Sequence, residues 1–323
     1  MRHLTLLIVA LVATPAAAFE LALPIACTPG DDCWVVRYVD QAAGPDAADY
    51  RCGRLTGDGH DGTDFAAPDL AAVSRGVAVL ASAPGVVRGT RDGMPDIDVS
   101  SPGAPSVKDR ECGNGVVIDH EGGWQTQYCH LRRGSVAVAK GDRVETGAVL
   151  GQVGMSGEAS FPHLHLSVRH DGEELDPFTS QPAGDGCGKA GTLLWNASAT
   201  AKLDYDALPI SGVGVATGPV DAAGLAEGLY DQATLPATAP ALVVWARTFG
   251  QMKGDVMSLT VLDPEGQPLV QDSRPAEKDR AFAFRFTGKK RGPEPWPAGT
   301  YKVVVEIRRG DLVRSVNRDI TVQ

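Results

Sequence analysis

Between His60 and Phe178 the chain is a succession of short β-type runs: Val77–Ala81, Gly85–Val87, Gly115–Asp119, Gln125–His130, Ala148–Val153 and His163–Val168. Gly, Pro and Asp signals separate them. Runs of this length, separated by turn formers and with little room for crossover helices, predict antiparallel strands. This alternation constrains the fold more than any other feature, because it leaves no helical period on which to build a bundle. Around Gln181 to Lys189 the composition turns to Pro, Gly, Asp and Cys, which marks a boundary. A second set of strands follows at Ala241–Ala246, Val256–Leu262, Ala281–Phe286, Tyr301–Ile307 and Ser315–Val322. Turns such as Asp263-Pro264-Glu265-Gly266 separate them, and the spacing predicts a C-terminal β-sandwich of Ig-like type. The chain is therefore expected to be mainly β, with two domains over its 323 residues.

Ahead of the first strands, Met-Arg-His leads into the apolar run Leu4 to Val12 and the small residues Ala16-Ala17-Ala18. That order reads as a secretory signal peptide, residues 1–18, cleaved near Ala18. The run is shorter than the roughly 18 to 20 residues of a membrane span, and no later stretch is apolar enough to be one. The mature protein is thus expected to be periplasmic or secreted, without a membrane span, and a monomer. Residues 19–49, rich in Pro and Gly, read as a loop-like, disulfide-tied segment with one apolar piece, Cys33–Val36. The expected domains are then 50–185 and 190–323.

Six cysteines in an exported chain point to disulfides. Fifteen connectivities are possible in principle, but a hairpin turning at Glu121-Gly122-Gly123 would set Cys112 and Cys129 opposite each other, so that pair is expected. The formal net charge of −10 and the lack of any basic run exclude nucleic acid as a partner.

Three clusters carry chemistry. Gly59-His60-Asp61-Gly62-Thr63-Asp64-Phe65 places a His and an Asp four apart on a loop entering a strand; Tyr128-Cys129-His130-Leu131 lies at a strand end; and Pro162-His163-Leu164-His165-Leu166 closes the set. In an extended strand residues i and i+2 share a face, so His163 and His165 project side by side while Leu164 and Leu166 face the core. Four of the seven histidines in the chain fall in these clusters. A catalytic zinc site takes three protein ligands, often two His and one carboxylate, and leaves a fourth position for water whose pKa falls to roughly 7. His60, Asp64 and one of the pair His163/His165 supply such a set, and the spacing alone leaves either member of that pair as the ligand. The remaining imidazoles have the right pKa to move a proton. A lone histidine is usually structural, as His120 and His170 beside turns are read to be, and Trp124 is read as a packing residue.

Taken together the clusters resemble the signature of the lysostaphin and LytM type metallopeptidases: His-x-x-x-Asp, then Gly-Asn-x-Val-x-Ile-x-His leading to Tyr-x-His-Leu, then His-Leu-His, in that order. Lys140 to Gly154 resembles the family's turn-rich approach to the last motif, and the likeness covers roughly residues 50 to 178. It implies a lysostaphin-like antiparallel β-sheet metallopeptidase domain with His60, Asp64 and His165 as Zn²⁺ ligands and His130 and His163 as the catalytic pair. It also implies a peptidoglycan substrate, cut in its cross-links or stem peptides. Leu166-Ser167 stand where members often have Phe-Glu, and Phe161 where they often have Gly. A non-catalytic module that binds or activates another cell-wall hydrolase is the alternative; such a role permits the loss of ligands, and none is lost here. The connection from about Gly89 to Gly113, long for a compact β domain, is expected at the rim of the groove, with Asp96 and Asp98 as solvated acids.

Overall fold

The computed structural model describes residues 18–323; the expected signal peptide lies outside them except for Ala18. Ten strands form the first half: β1 (Trp34–Arg37), β2 (Thr63–Ala66), β3 (Ala78–Leu80), β4 (Gly85–Arg91), β5 (Asn114–Asp119), β6 (Trp124–Leu131), β7 (Arg143–Val144), β8 (Val149–Gln152), β9 (His163–His170) and β10 (Glu173–Leu175). Eight make one sheet in the order β1-β2-β9-β6-β5-β4-β7, with β10 paired to β9, while β3 and β8 form a separate ribbon. All these pairings are antiparallel. Among the described residues no helix is long and apolar enough to cross a membrane.

The period-two pattern of β9 organises this half. Leu164, Leu166 and Val168 are buried on one face, in a cluster with Phe65, Ile118 and Tyr128. Each such leucine stabilises the fold by about 2 kcal/mol through the apolar area it removes from water. The opposite face, which half-burial would leave wet, is also covered: His163, His165 and Ser167 are all buried. They are roofed by the segment around Asp61 and Gly62 and by the end of β6, so this face is the floor of a cleft.

Residues 19–49 are more ordered than a loop-like reading implies. Trp34–Arg37 pairs with β2 and closes the sheet edge, with a register shift between Val35 and Arg37. Disulfides join Cys27 to Cys33, Cys52 to Cys187, and Cys112 to Cys129, the last across the β5–β6 hairpin as expected. The 89–113 connection is pinned by its acids. Asp92 accepts from Gly134 N, and Asp96, expected to be a solvated acid, accepts from Met155 N at 2.7 Å and Arg133 N at 3.0 Å. A carboxylate satisfies two backbone donors of the opposite loop at once, and that holds the connection down.

The second half contains β11 (Ile210–Ala216), β12 (Thr234–Leu235), β13 (Ala241–Gln251), β14 (Val256–Leu262), β15 (Pro268–Pro275), β16 (Arg280–Lys290), β17 (Gly299–Arg309) and β18 (Leu312–Val322). Sheets ordered β11-β13-β16 and β12-β18-β17-β14-β15 enclose a second apolar cluster that includes Leu242, Val244, Leu259, Val303 and Ile320. Strand β11 escapes a reading by composition because it contains Gly212 and Gly214; a Cβ on Gly214 would lie 2.5 Å from the Trp245 indole that covers it. Leu194, Trp195 and Leu203, beyond the boundary near 181–189, pack into the first cluster, and so does Phe249 of β13.

Candidate metal centre

Pairing brings the first and third clusters together. Asp64 on β2 lies directly opposite His165 on β9, and Cys129, next to His130, opposes His165 from the other side. Directly opposed residues have Cβ atoms about 5 Å apart, close enough for side chains to converge on one point. His60 joins them from the turn before β2. Gly62 is required in that turn by close approach, since a Cβ there would meet His165 Nε2 at 2.5 Å and the Leu166 carbonyl at 2.6 Å.

The ring orientations follow from the chemistry of the partners. The Tyr38 carbonyl lies 2.8 Å from His60 Nδ1. A carbonyl only accepts, so Nδ1 carries the proton and Nε2 carries a lone pair. That buried Nε2 stands 3.1 Å from Asp64 Oδ1, yet no hydrogen bond satisfies it. His165 Nδ1 lies 2.9 Å from the same oxygen, while its Nε2 faces Asp61 Oδ1 and Ser167 Oγ, each at 3.1 Å. One ligand atom from each of His60, Asp64 and His165 falls within 4.8 Å of the others. The His60 lone pair and the Asp64 carboxylate, aimed at one buried point, repel one another unless a positive charge lies between them, and a metal ion displacing the His165 Nδ1 proton would supply it. Two nitrogens and one oxygen are the donor set of a catalytic zinc site, so the residues fit that ion.

The catalytic candidates are arranged differently. His130 Nδ1 donates to the Ser156 carbonyl at 2.7 Å and His163 Nδ1 to the Phe161 carbonyl at 2.9 Å, which leaves both Nε2 atoms as acceptors. His163 Nε2 is 3.7 Å from Asp64 Oδ2, and the two rings lie 4.5 Å apart. Burial, together with the neighbouring imidazoles His163 and His165, holds the His130 pKa well below its ordinary value. Burial also depresses His163, in part offset by Asp64. Both rings are therefore neutral near pH 7. Burial alone would raise the Asp64 pKa, but His60, His163 and His165 outweigh it and hold the carboxyl well below the usual range. His165 is opposite in sign: burial lowers it, yet Asp61 and Asp64 raise it to about 9. His130 also has φ 63°, a left-handed backbone that costs a non-glycine residue about 1 kcal/mol.

A groove of about 330 Å³ runs over the cluster, with Arg37, Glu111, Gln127, Glu158 and Arg169 on its walls. Glu111 belongs to the 89–113 connection, which thereby reaches the rim. Sequence reasoning brought together all five residues His60, Asp64, His130, His163 and His165 but missed Asp61, Ser167 and the three carbonyls that orient the rings. Ser167 was within reach, since it continues the i, i+2 face of β9. The carbonyls carry no side-chain signal at all. His120 and His170 stay outside the cleft, bound to the Pro84 and Gly122 carbonyls, and Trp124 is packed between Phe19 and His170.

Comparison with known proteins gives this arrangement a lineage. The model of peptidase family M23 matches residues 58–177. The DD-carboxypeptidase/endopeptidase Mpg of Neisseria meningitidis serogroup B is 34% identical over 122 residues, 37% of this chain and 22% of that protein. The peptidoglycan DD-endopeptidase ShyA of Vibrio cholerae is 37% identical over 109 residues, 34% of this chain and 20% of that protein. The match thus spans about a fifth of the length of either relative. Among solved structures, the catalytic domain of the prophage-encoded M23 protein EnpA from Enterococcus faecalis aligns at 25% identity with a TM-score of 0.33, covering 50% of this chain and 98% of that one. Residues 58–177, which hold the entire cluster, match the model of peptidase family M23 and so agree with the lysostaphin-type resemblance seen in the sequence.

Proposed function

We propose that the chain is an exported zinc metalloendopeptidase that hydrolyses peptide bonds in peptidoglycan, in cross-links or stem peptides. The observation that carries this reading is the convergence of His60 Nε2, Asp64 Oδ1 and His165 Nδ1 on one buried point, with an unsatisfied lone pair on His60. These three atoms would hold Zn²⁺. A bound zinc ion lowers the pKa of a water to roughly 7 and polarises the carbonyl that the water attacks.

The chain's own residues supply the rest. His163 Nε2 and His130 Nε2, neutral and unprotonated near pH 7, can take the proton of the attacking water and return it to the leaving amine. Their Nδ1–H bonds to backbone carbonyls prevent the rings from turning away, which keeps the acceptors aimed across Asp64. A protonated imidazole then lies where negative charge develops on the carbonyl oxygen.

Similarity to the peptidoglycan DD-endopeptidase ShyA supports the substrate class. Three disulfides support an oxidising compartment and hence export. Zinc content and the products from isolated cell-wall sacculi, by mass spectrometry, test the reading against a His165→Ala variant. One equivalent of zinc and new peptide termini, both lost in the variant, are expected. Zinc without new termini would refute the endopeptidase, and absence of zinc would refute the metal site.

A further inference from the structure

Three of the four clustered histidines have one ring nitrogen against a backbone carbonyl: His60 on Tyr38, His130 on Ser156 and His163 on Phe161. His165 is the exception. Its outer nitrogen, Nε2, is met by side chains, the Asp61 carboxylate and the Ser167 hydroxyl, both at 3.1 Å. Asp61 makes no other ion-pair contact among the described residues and pairs with no Lys or Arg. Its side chain is 47% exposed and lines the groove while Oδ1 meets the ring. Gly62, next in the chain, lacks the Cβ that would wedge the segment away from that ring.

We propose that Asp61 is a positioning residue for the metal site: with Ser167 it holds the Nε2–H of His165, fixing the ring so that the Nδ1 lone pair points at His60 and Asp64. The proposal rests on the zinc reading above and adds a determinant of affinity that lies outside the ligand set. The physical reason is specific to this ring. Without an acceptor at Nε2, the neutral imidazole is free to carry its proton on Nδ1, which cannot then donate a lone pair to a cation. A carboxylate also makes the ring a stronger base than a carbonyl does, so the effect on affinity exceeds that of orientation alone. Loss of such an outer partner typically weakens metal binding by about 10- to 100-fold.

Zinc affinity of the full exported chain, measured by competition with a chromophoric chelator at pH 7.5, separates this role from simple charge. Asp61→Ala is expected to weaken zinc by about 10- to 100-fold, and Asp61→Asn, whose amide oxygen can still accept from Nε2–H, to recover part of that loss. Asp58→Ala removes an equally negative, exposed side chain on the same groove without touching His165 and is expected to retain nearly all affinity. Far-UV dichroism of the metal-free proteins should coincide, which excludes general damage. Unchanged affinity in Asp61→Ala, or an equal loss in Asp58→Ala, would overturn the positioning role while leaving the zinc site intact. A wild-type protein that binds no zinc would instead overturn the site itself and the role of Asp61 with it.

Discussion

Asp176 follows β10 and is completely buried; its Oδ1 accepts from Phe178 N at 2.8 Å, but Oδ2 has no hydrogen-bond partner. Burial, reinforced by the Asp49 carboxylate, pushes its pKa from 3.8 up to about 7. The folded protein therefore holds this proton more tightly than the unfolded chain does. Stability from Asp176 is fully present below pH 3.8 and declines as pH rises towards 7, where the folded carboxyl also ionises. A shift of about three pH units at about 1.36 kcal/mol per unit gives a loss of about 4 kcal/mol across that window. Asp176→Asn keeps the acceptor for Phe178 N and cannot ionise. Relative to the wild type it should gain about 4 kcal/mol between pH 4 and pH 8, with contributions from other titrating groups cancelling in the comparison. Guanidinium unfolding at both pH values, with disulfides intact, measures this double difference. If the two proteins lose or gain stability in parallel within about 1 kcal/mol, Asp176 ionises at its ordinary value and the buried orphan oxygen costs nothing.

Other outcomes follow from the same geometry. Gly62→Ala drives a methyl into His165; zinc content by elemental analysis should fall well below one equivalent, while far-UV dichroism stays that of a β protein. His163→Ala leaves the three ligand atoms in place, so zinc is retained and sacculus digestion drops by about 10²- to 10⁴-fold, the usual contribution of a general base; loss of zinc in that variant would show that His163 is a ligand. The paired change Cys52→Ser with Cys187→Ser opens a loop of sequence separation 135, which in the chain-entropy model costs about 5 kcal/mol. Its denaturation midpoint should fall accordingly, and an unchanged midpoint would mean the crosslink restrains little in the unfolded chain.

How far the sequence reveals this molecule depends on whether a feature is written in side chains. Strand β9 is legible because alternation separates Leu164 and Leu166 from His163 and His165, and the same alternation points at the cleft. The Cys112–Cys129 pair is legible because a short hairpin leaves two cysteines few places to go. Strand β11 is not, since its glycines make room for Trp245 and glycine ordinarily signals a turn. Nor is the role of β1, because Trp34–Arg37 is short and its partner lies about thirty residues on. Within the site, the five side chains come directly from their motifs. What aims them does not: Tyr38, Ser156 and Phe161 act through backbone carbonyls, for which any residue type would serve. Asp61 lies inside the first motif, but only the turn at Gly62 shows that it reaches His165.

The carbonyl of Tyr38 carries a consequence for modularity. The match to family M23 begins at residue 58, twenty positions after the group that sets the tautomer of His60. Strand β1, which covers the open edge of β2, also precedes it, and Cys187, which anchors Cys52, follows its end. A graft of residues 58–177 into another scaffold would carry every motif and still leave His60 Nδ1 without its acceptor. It would also expose a bare strand edge to aggregation. A transplantable unit would have to reach at least from Leu21 to Leu203, the outermost residues of this half buried in its apolar cluster, and would still lose Phe249 of β13 from that cluster. In this protein the motif-bearing stretch and the physically self-sufficient stretch are different lengths of chain.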